Sequence, residues 1–413
     1  MYRSKLLFLW AALIALGRAT PASHLWGPTL SRVYDTTDTL PRPNVGNLNV
    51  HDPNVVFWKD HYYLFKGGVH VPYFRAANMS GPWTQIGTVL DGDSVIHQGN
   101  RSRPWAPTTV ERNGTFYCFY TLSTRGSRNS AIGVATTTVL DGSPWIDHGA
   151  VVRTGQGNGS TVWPFTVSNA IDASFIRDQA TGQAYLNYGS FWHDIWQVPL
   201  ADDWLSIKSP ERPDAVQLTF IPREVVRPEE GSWLSYHDGY YYAWFSHGEC
   251  CNFDEHGFPE RNDEYSIRVG RSRAVRGPFV DHDNKMLLDG GGTVVYASNH
   301  GLVYAPGGLG VLARNDSSPD ILYYHYLNTS IGFRDDQALL GWNYLKYDNG
   351  WPVVIDGIDA KTSAAPVYQL PSRLYLLTMM GRWSRSALCF TAFSEILANW
   401  GFSTGLWLYL LWS

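Results

Sequence analysis

Short aromatic strands recur along this chain, and several open on a phrase that carries a carboxylate. The phrases are Val50-His51-Asp52-Pro53, Asn169-Ala170-Ile171-Asp172-Ala173 and Pro228-Glu229-Glu230-Gly231-Ser232. The strands that follow read FWKDHYYLF, SFIRDQATGQAYLNYGSFW and WLSYHDGYYYAWF. Units of one kind with an acid at the head predict a shared axis, with the acids pointing into one cavity. The openings fall at about His51, Trp105, Asn169, Glu230 and Asn299, a repeat of roughly fifty to seventy residues, within or a little above the range of propeller blades. AANMSGPWTQIG and SRAVRGPFVDHD share a further phrase: a strand, then Gly-Pro-aromatic, then a turn. Between the strands Gly, Asn and Asp supply the turns, as in RNGTFY, HDGYYY and YDNGW. No amphipathic helix is expected before residue 355. The prediction is an all-β, five-bladed propeller over residues 30–354, each blade with its first strand nearest the axis. A β-sandwich of similar strand count is the competing fold, and the repeat favours the propeller.

The flanks differ. Arg3 and Lys5 precede the apolar run LLFLWAALIAL, and small residues follow at Ala19, Thr20 and Ala22. This is the pattern of a secretory leader over residues 1–20, too short to span a bilayer comfortably. Export fits the sequons at Asn78, Asn100, Asn113, Asn158, Asn315 and Asn328. Beyond Val354 the strand grammar fails. The stretch ALCFTAFSEILANWGFSTGLWLYLLWS is apolar but broken by Glu395 and Asn399, so it makes a poor membrane span. Residues 355–413 read as an extension outside the blades or an artefact of the gene model; a lipid-anchor signal would have a cleaner apolar end.

Cysteine is scarce, with four residues at 118, 250, 251 and 389, so the fold rests on its own core rather than on disulfides. Cys250 and Cys251 are adjacent. They bond to each other, stay as two thiols, or bridge to Cys118. The formal charge of −5 comes with no basic run, which excludes the electrostatic footprint of a nucleic-acid binder. Aromatic residues make up 15% of the chain, with 18 Trp and 24 Tyr. Most of these rings are expected to fill β cores. Rings left over suit sugars, whose C–H faces stack on them.

Asp52, Asp172 and Glu230 are the candidate acids. Pro53 predicts extended geometry for Asp52 and holds its carboxylate at a strand entrance. Glu230 reaches farther, and burial would keep it protonated as a general acid requires. Glu229 reads as an exposed surface charge. Asp172, between apolar neighbours, would help hold the Glu230 proton by like-charge repulsion. Taken singly, each acid is equally a turn cap or a buried carboxylate satisfied by backbone N–H groups. Trp105, held between two prolines, and the Ser190-Phe191-Trp192 run are candidate stacking platforms, although core packing explains any one such ring as well.

The ordered set is more specific than its parts. HDP, WAP, NAID, YGSFW, the Glu230-Gly231-Ser232 opening, WFSHGECC, YSIRVGRS, GPFVD, GGGT and YAPGG follow one another between residues 45 and 354. In this order they resemble glycoside hydrolase family 43, and within it the fungal endo-1,5-α-L-arabinanases. The resemblance implies an inverting mechanism, with Asp52 as general base, Glu230 as general acid and Asp172 tuning and orienting that acid. It implies sugar contacts at His51, Trp105, Asn169, Ser190, Phe191 and Trp192. It implies a secreted monomer whose partner is a polysaccharide, with no nucleic acid and no membrane.

Two departures stand out. Ala173 replaces a proline common in the family. No histidine occupies Pro306-Gly307-Gly308-Leu309-Gly310, where many relatives carry one near a central ion, and His300 is a poor substitute. No metal ligand is therefore assigned and no cofactor is expected to be required; an axial Ca2+ or Na+ lacks its histidine. The rival functions are an exo-acting arabinofuranosidase or β-xylosidase of the same family, a non-catalytic carbohydrate-binding propeller, and a structural propeller whose acids only cap turns.

Overall fold

The computed structural model describes residues 39–355, except 47, 156–159, 223, 225 and 315–317. The leader and the tail beyond residue 355 lie outside the described residues, as do the sequons at Asn158 and Asn315. Asn78, Asn100 and Asn113 are exposed.

Among the described residues, twenty strands form five sheets of four, each a simple antiparallel meander. Blade one holds β1 (Asn54–Trp58), β2 (His61–Phe65), β3 (Pro72–Ala76) and β4 (Thr84–Thr88). Blade two holds β5 (Trp105–Arg112), β6 (Thr115–Leu122), β7 (Ala131–Thr137) and β8 (Ile146–Arg153). Blade three holds β9 (Ser174–Arg177), β10 (Ala184–Tyr188), β11 (Trp196–Pro199) and β12 (Val216–Gln217). Blade four holds β13 (Glu229–His237), β14 (Tyr240–His247), β15 (Ser266–Ser272) and β16 (Thr293–Tyr296). Blade five holds β17 (Val303–Leu312), β18 (Asp320–Asn328), β19 (Leu339–Asp348) and β20 (Trp351–Ile355).

The first strands touch in a closed ring: β1 with β5, β5 with β9, β9 with β13, β13 with β17, and β17 with β1. That ring is the axis of a five-bladed propeller, and it excludes the sandwich. Each blade keeps a short outer edge in its fourth strand, the way a propeller limits the edge problem. The cores lie between blades. One joins Phe119 and Ile132 of blade two to Leu186, Tyr188 and Trp196 of blade three. Another joins Tyr242 and Trp244 of blade four to Leu322 and Tyr324 of blade five. Most of the aromatic residues are spent here, as expected of rings in strands.

The two Gly-Pro-aromatic phrases occupy equivalent places, between the third and fourth strands of blades one and four. In each, the glycine N–H donates to the carbonyl three residues back, Gly81 to Asn78 and Gly277 to Ala274. Helix is confined to α1 (Phe253–His256) and two 3-10 turns among the described residues. No helix there is long and apolar enough to cross a membrane.

Candidate active site

Bulges in three strand pairs shape the axial end of the blades. The pairing of β13 with β14 slips between Glu230 and Trp233, that of β5 with β6 between Trp105 and Thr108, and that of β17 with β18 on both sides of Gly307. A bulge adds a residue to one strand and re-aims its neighbours. In β13 the slip falls at Gly231, whose φ of 57° a glycine adopts without cost. Glu230 is thereby turned into a cavity of about 1110 Å3 that also takes in Asp52 and Asp172. His51, Trp105, Asn169, Ser190, Phe191 and Trp192 line the same cavity. All nine residues singled out by sequence are therefore brought together in one cavity.

Asp52 is not extended. Its φ is 49°, in the left-handed region that aspartate tolerates better than most residues. Pro53 disfavours the right-handed helical region for the residue before it but does not fix that residue's φ. The strand entrance is instead set by the Asp52 N–H, which donates to His325 Nδ1 at 3.1 Å. His51 Nδ1 lies 3.0 Å from Asp52 Oδ2, and His325 Nδ1 lies 3.4 Å from Oδ1. Burial alone would push this carboxyl up, but the two histidines outweigh it and hold Asp52 well below the usual carboxylate range. It stays ionised, as a base must.

Glu230 is in the opposite state. Ser190 Oγ donates to Oε2 at 2.6 Å, and Tyr265 Oη donates to Oε1 at 2.9 Å. Burial and the charge on Asp52 nevertheless push the carboxyl up. Asp172 is raised further, by burial and then by the charges of Glu230 and Asp52, against one hydrogen bond from the Gly231 N–H at 3.2 Å. Two buried carboxyls that repel each other titrate as a pair, and the pair keeps a proton to higher pH than either would alone. Replacing Asp172 with asparagine is expected to remove this repulsion. The basic limb of the kcat/KM profile then moves to lower pH and the plateau falls, which a pH series on wild type and Asp172→Asn would read.

Ser190 and Asn169 are both hydrogen-bonded within the protein. Ser190 is bound to Glu230. Asn169 is buried, accepts from Ser130 Oγ at 2.7 Å, and reaches the Ser190 carbonyl at 3.5 Å. Phe191 and Trp192 have φ of 52° and 46°, an uncommon pair for bulky side chains, and such strain collects at functional sites. The Phe191 N–H donates to the Glu229 carbonyl, and Arg227 Nη1 donates to the Trp192 carbonyl. Trp192 is 37% exposed over the cavity, the posture of a stacking ring.

One further expectation is corrected. Glu229 is no surface charge: it is 1% exposed, 3.6 Å from His247, and burial pushes its carboxyl up to about 7. Alternation along β13 explains this, since Glu229 and Glu230 leave opposite faces of the strand. A buried histidine also stands beside Asp52, outside the stretch where the family pattern places one. His325, on β18 rather than in the 306–310 stretch, is 1% exposed and stacks on His51 at 3.9 Å. The Tyr265 ring lies on it at 5.9 Å, so a layer of three rings connects base and acid. His325 and Tyr265 were missed because a histidine in ILYYHYL and a tyrosine opening YSIRVGRS read as core.

Burial, first of all, holds His325 neutral, with its pKa down to about 4. Its Nε2 is buried with no hydrogen-bond partner among the described residues. The donor atoms of His51, Asp52 and His325 lie within 4.8 Å of one another. Calcium and sodium take mainly oxygen ligands. This set fits such an ion poorly: Nδ1 accepts from the Asp52 N–H, so the neutral ring carries its proton on Nε2 and offers a cation no free lone pair.

Gly308 faces this layer with φ of 56°, and a Cβ built there would collide with Asp52 Oδ1 and the His325 ring. Gly308→Ala is expected to displace the base and cut kcat at least about tenfold. Thermal unfolding followed beside the assay would separate this loss from global destabilisation.

The family model described as "Glycosyl hydrolases family 43" matches residues 42–352. The chain belongs to this family. Among its family 43 relatives, "Probable arabinan endo-1,5-alpha-L-arabinosidase D" of Emericella nidulans is 57% identical over 78% of this chain and 84% of its own. "Arabinan endo-1,5-alpha-L-arabinosidase B" of the same organism is 41% identical over 76% of this chain and 86% of its own. Among solved structures, an exo-1,5-alpha-L-arabinanase from a bovine ruminal metagenomic library superposes with a TM-score of 0.65 at 28% identity, covering 76% of this chain and 99% of that one. The five-bladed architecture is the one these structures share.

Proposed function

We propose that this family 43 chain is an exported endo-1,5-α-L-arabinanase that hydrolyses arabinan with inversion at the anomeric carbon. The observation that carries this reading is the meeting of Asp52, Asp172 and Glu230, the head-of-blade acids of three different blades, in one cavity with opposite proton demands. Asp52 takes a proton from water as it attacks the anomeric carbon. Glu230 gives its proton to the departing oxygen. Asp172 tunes and orients that acid. Carboxyls of inverting enzymes stand roughly 6.5–9.5 Å apart, with the water between them. The oxocarbenium-like charge on the ring is stabilised by the carboxylates around it. His51 acts through Asp52, and Trp105, Phe191 and Trp192 hold sugars.

A cavity lined by loops of all five blades, at the upper end of the usual range for small-ligand pockets, has room for several sugars in a row and supports endo action. The exo reading draws on the likeness to the metagenomic exo-1,5-alpha-L-arabinanase. Debranched arabinan separates the two, with xylan as the control. Endo action releases mixed oligomers early, exo action releases one short product from the start, and release from xylan alone would reject the substrate class. Export is supported by the basic-then-apolar start of the chain and by the sequons.

A further inference from the structure

Cys250 and Cys251 are bonded to each other, and Cys118 is buried and free. A cross-link between neighbours closes almost no loop, and the stabilisation a disulfide gives grows with loop length. This one therefore contributes little to folding, and its position is the more informative property. It sits at the start of the long connection between β14 and β15, in the wall of the cavity that holds the three acids.

The backbone on both sides of the pair is fixed. The Glu249 N–H donates to the Asp263 carbonyl, and the Tyr265 N–H donates to the Glu249 carbonyl. The Asn252 N–H donates to Asp335 Oδ1 at 2.8 Å, tying the connection to blade five. Behind the pair, Cys250 packs on the cluster of Phe253, Tyr265, Ala305 and Leu327. In front, Arg125 of blade two reaches Cys251 Sγ at 4.0 Å. Phe258, farther along the same connection, is 58% exposed and also lines the cavity. The rigid sulfur pair and this ring make an apolar strip on the blade-four side. Trp105, Phe191 and Trp192 make another, on blades two and three.

We propose that the Cys250–Cys251 disulfide, with Phe258, is the wall of a sugar subsite that packs against the C–H face of an arabinofuranosyl unit beyond the scissile bond. Two bonded sulfurs are polarisable and bond hydrogen only weakly, so they offer a furanose ring the kind of surface an aromatic ring offers, in less space. Arg125, Asn252 and Asp335 stand around the pair with polar groups for the sugar's hydroxyls. The assignment rests on the arabinanase reading.

The test is steady-state kinetics on linear α-1,5-arabinan. It compares wild type, the double variant Cys250→Ala/Cys251→Ala, Phe258→Ala, and wild type reduced until thiol titration shows the pair open. Both variants and the reduced enzyme are expected to raise KM about five- to tenfold, with kcat falling no more than about twofold, the signature of lost binding away from the reacting bond. Reoxidation should restore the wild-type KM. Unmoved KM in the double variant and the reduced enzyme overturns the proposal. So does a fall in kcat at constant KM, which would make the pair a support for Tyr265 instead. If the double variant does not fold, the reduced enzyme decides alone. Wild type inactive on arabinan would overturn the arabinanase reading itself, a result distinct from an active enzyme whose KM ignores the disulfide.

Discussion

Glu230→Gln is expected to lower kcat on arabinan by about 10²–10⁴-fold, the usual worth of a positioned general acid. Glutamine keeps the shape but cannot give up a proton. It also fits its surroundings less well. Ser190 and Tyr265 both donate to the native carboxylate, and an amide can accept from only one of them without turning its NH2 on the other. The fold should survive, because Glu230 faces the cavity and the cores lie between blades. The role is tested by the leaving group. An aryl arabinofuranoside with an acidic phenol departs without protonation, so the variant should lose far less on it than on arabinan. An equal loss on both substrates would remove the acid role from Glu230.

Asp52→Asn is expected to cost a similar factor, and here a better leaving group should not help. The deficit is the missing base, not the missing proton on the departing oxygen. Azide, an anion that attacks without a base, should restore part of the rate in this variant and none in Glu230→Gln. The wider effect is on His51. Burial opposes its protonation, and the Asp52 carboxylate more than offsets that, so its pKa is raised. Without that charge His51 should titrate lower, which proton NMR of the imidazole would follow. Wild-type rates on arabinan from Asp52→Asn would refute the assignment.

The sequence made the repeat legible because a propeller buries the same surfaces five times. Strand length, turn residues and acidic openings recur with the blades, and the five openings fall at or just before β1, β5, β9, β13 and β17. The three acids were legible for the same reason, being at the head of a repeating unit. What could not be read was everything that depends on one blade facing another. His325 sits mid-strand among aromatic residues, and only closure of β17 onto β1 sets it against Asp52. Tyr265 immediately precedes β15, and its N–H bond to the Glu249 carbonyl, across the connection from β14, holds it within reach of Glu230. Glu229 looked solvated beside its twin until the alternation of β13 put it inside. The short bond from Ser190 to Glu230 exists only because blades three and four are adjacent. The bond between Cys250 and Cys251 stood among several pairings the sequence allowed.

The account depends on Asp52 and Glu230 acting from opposite sides of the scissile bond with a water between them, and that arrangement has one stereochemical outcome. Proton NMR of the anomeric region, recorded within the first minutes of hydrolysis, reads it directly. The β-configured hemiacetal should appear first from the α-linked chain and then mutarotate. If the α-configured product accumulates first, one of the two carboxyls is a nucleophile and the base–acid assignment is wrong.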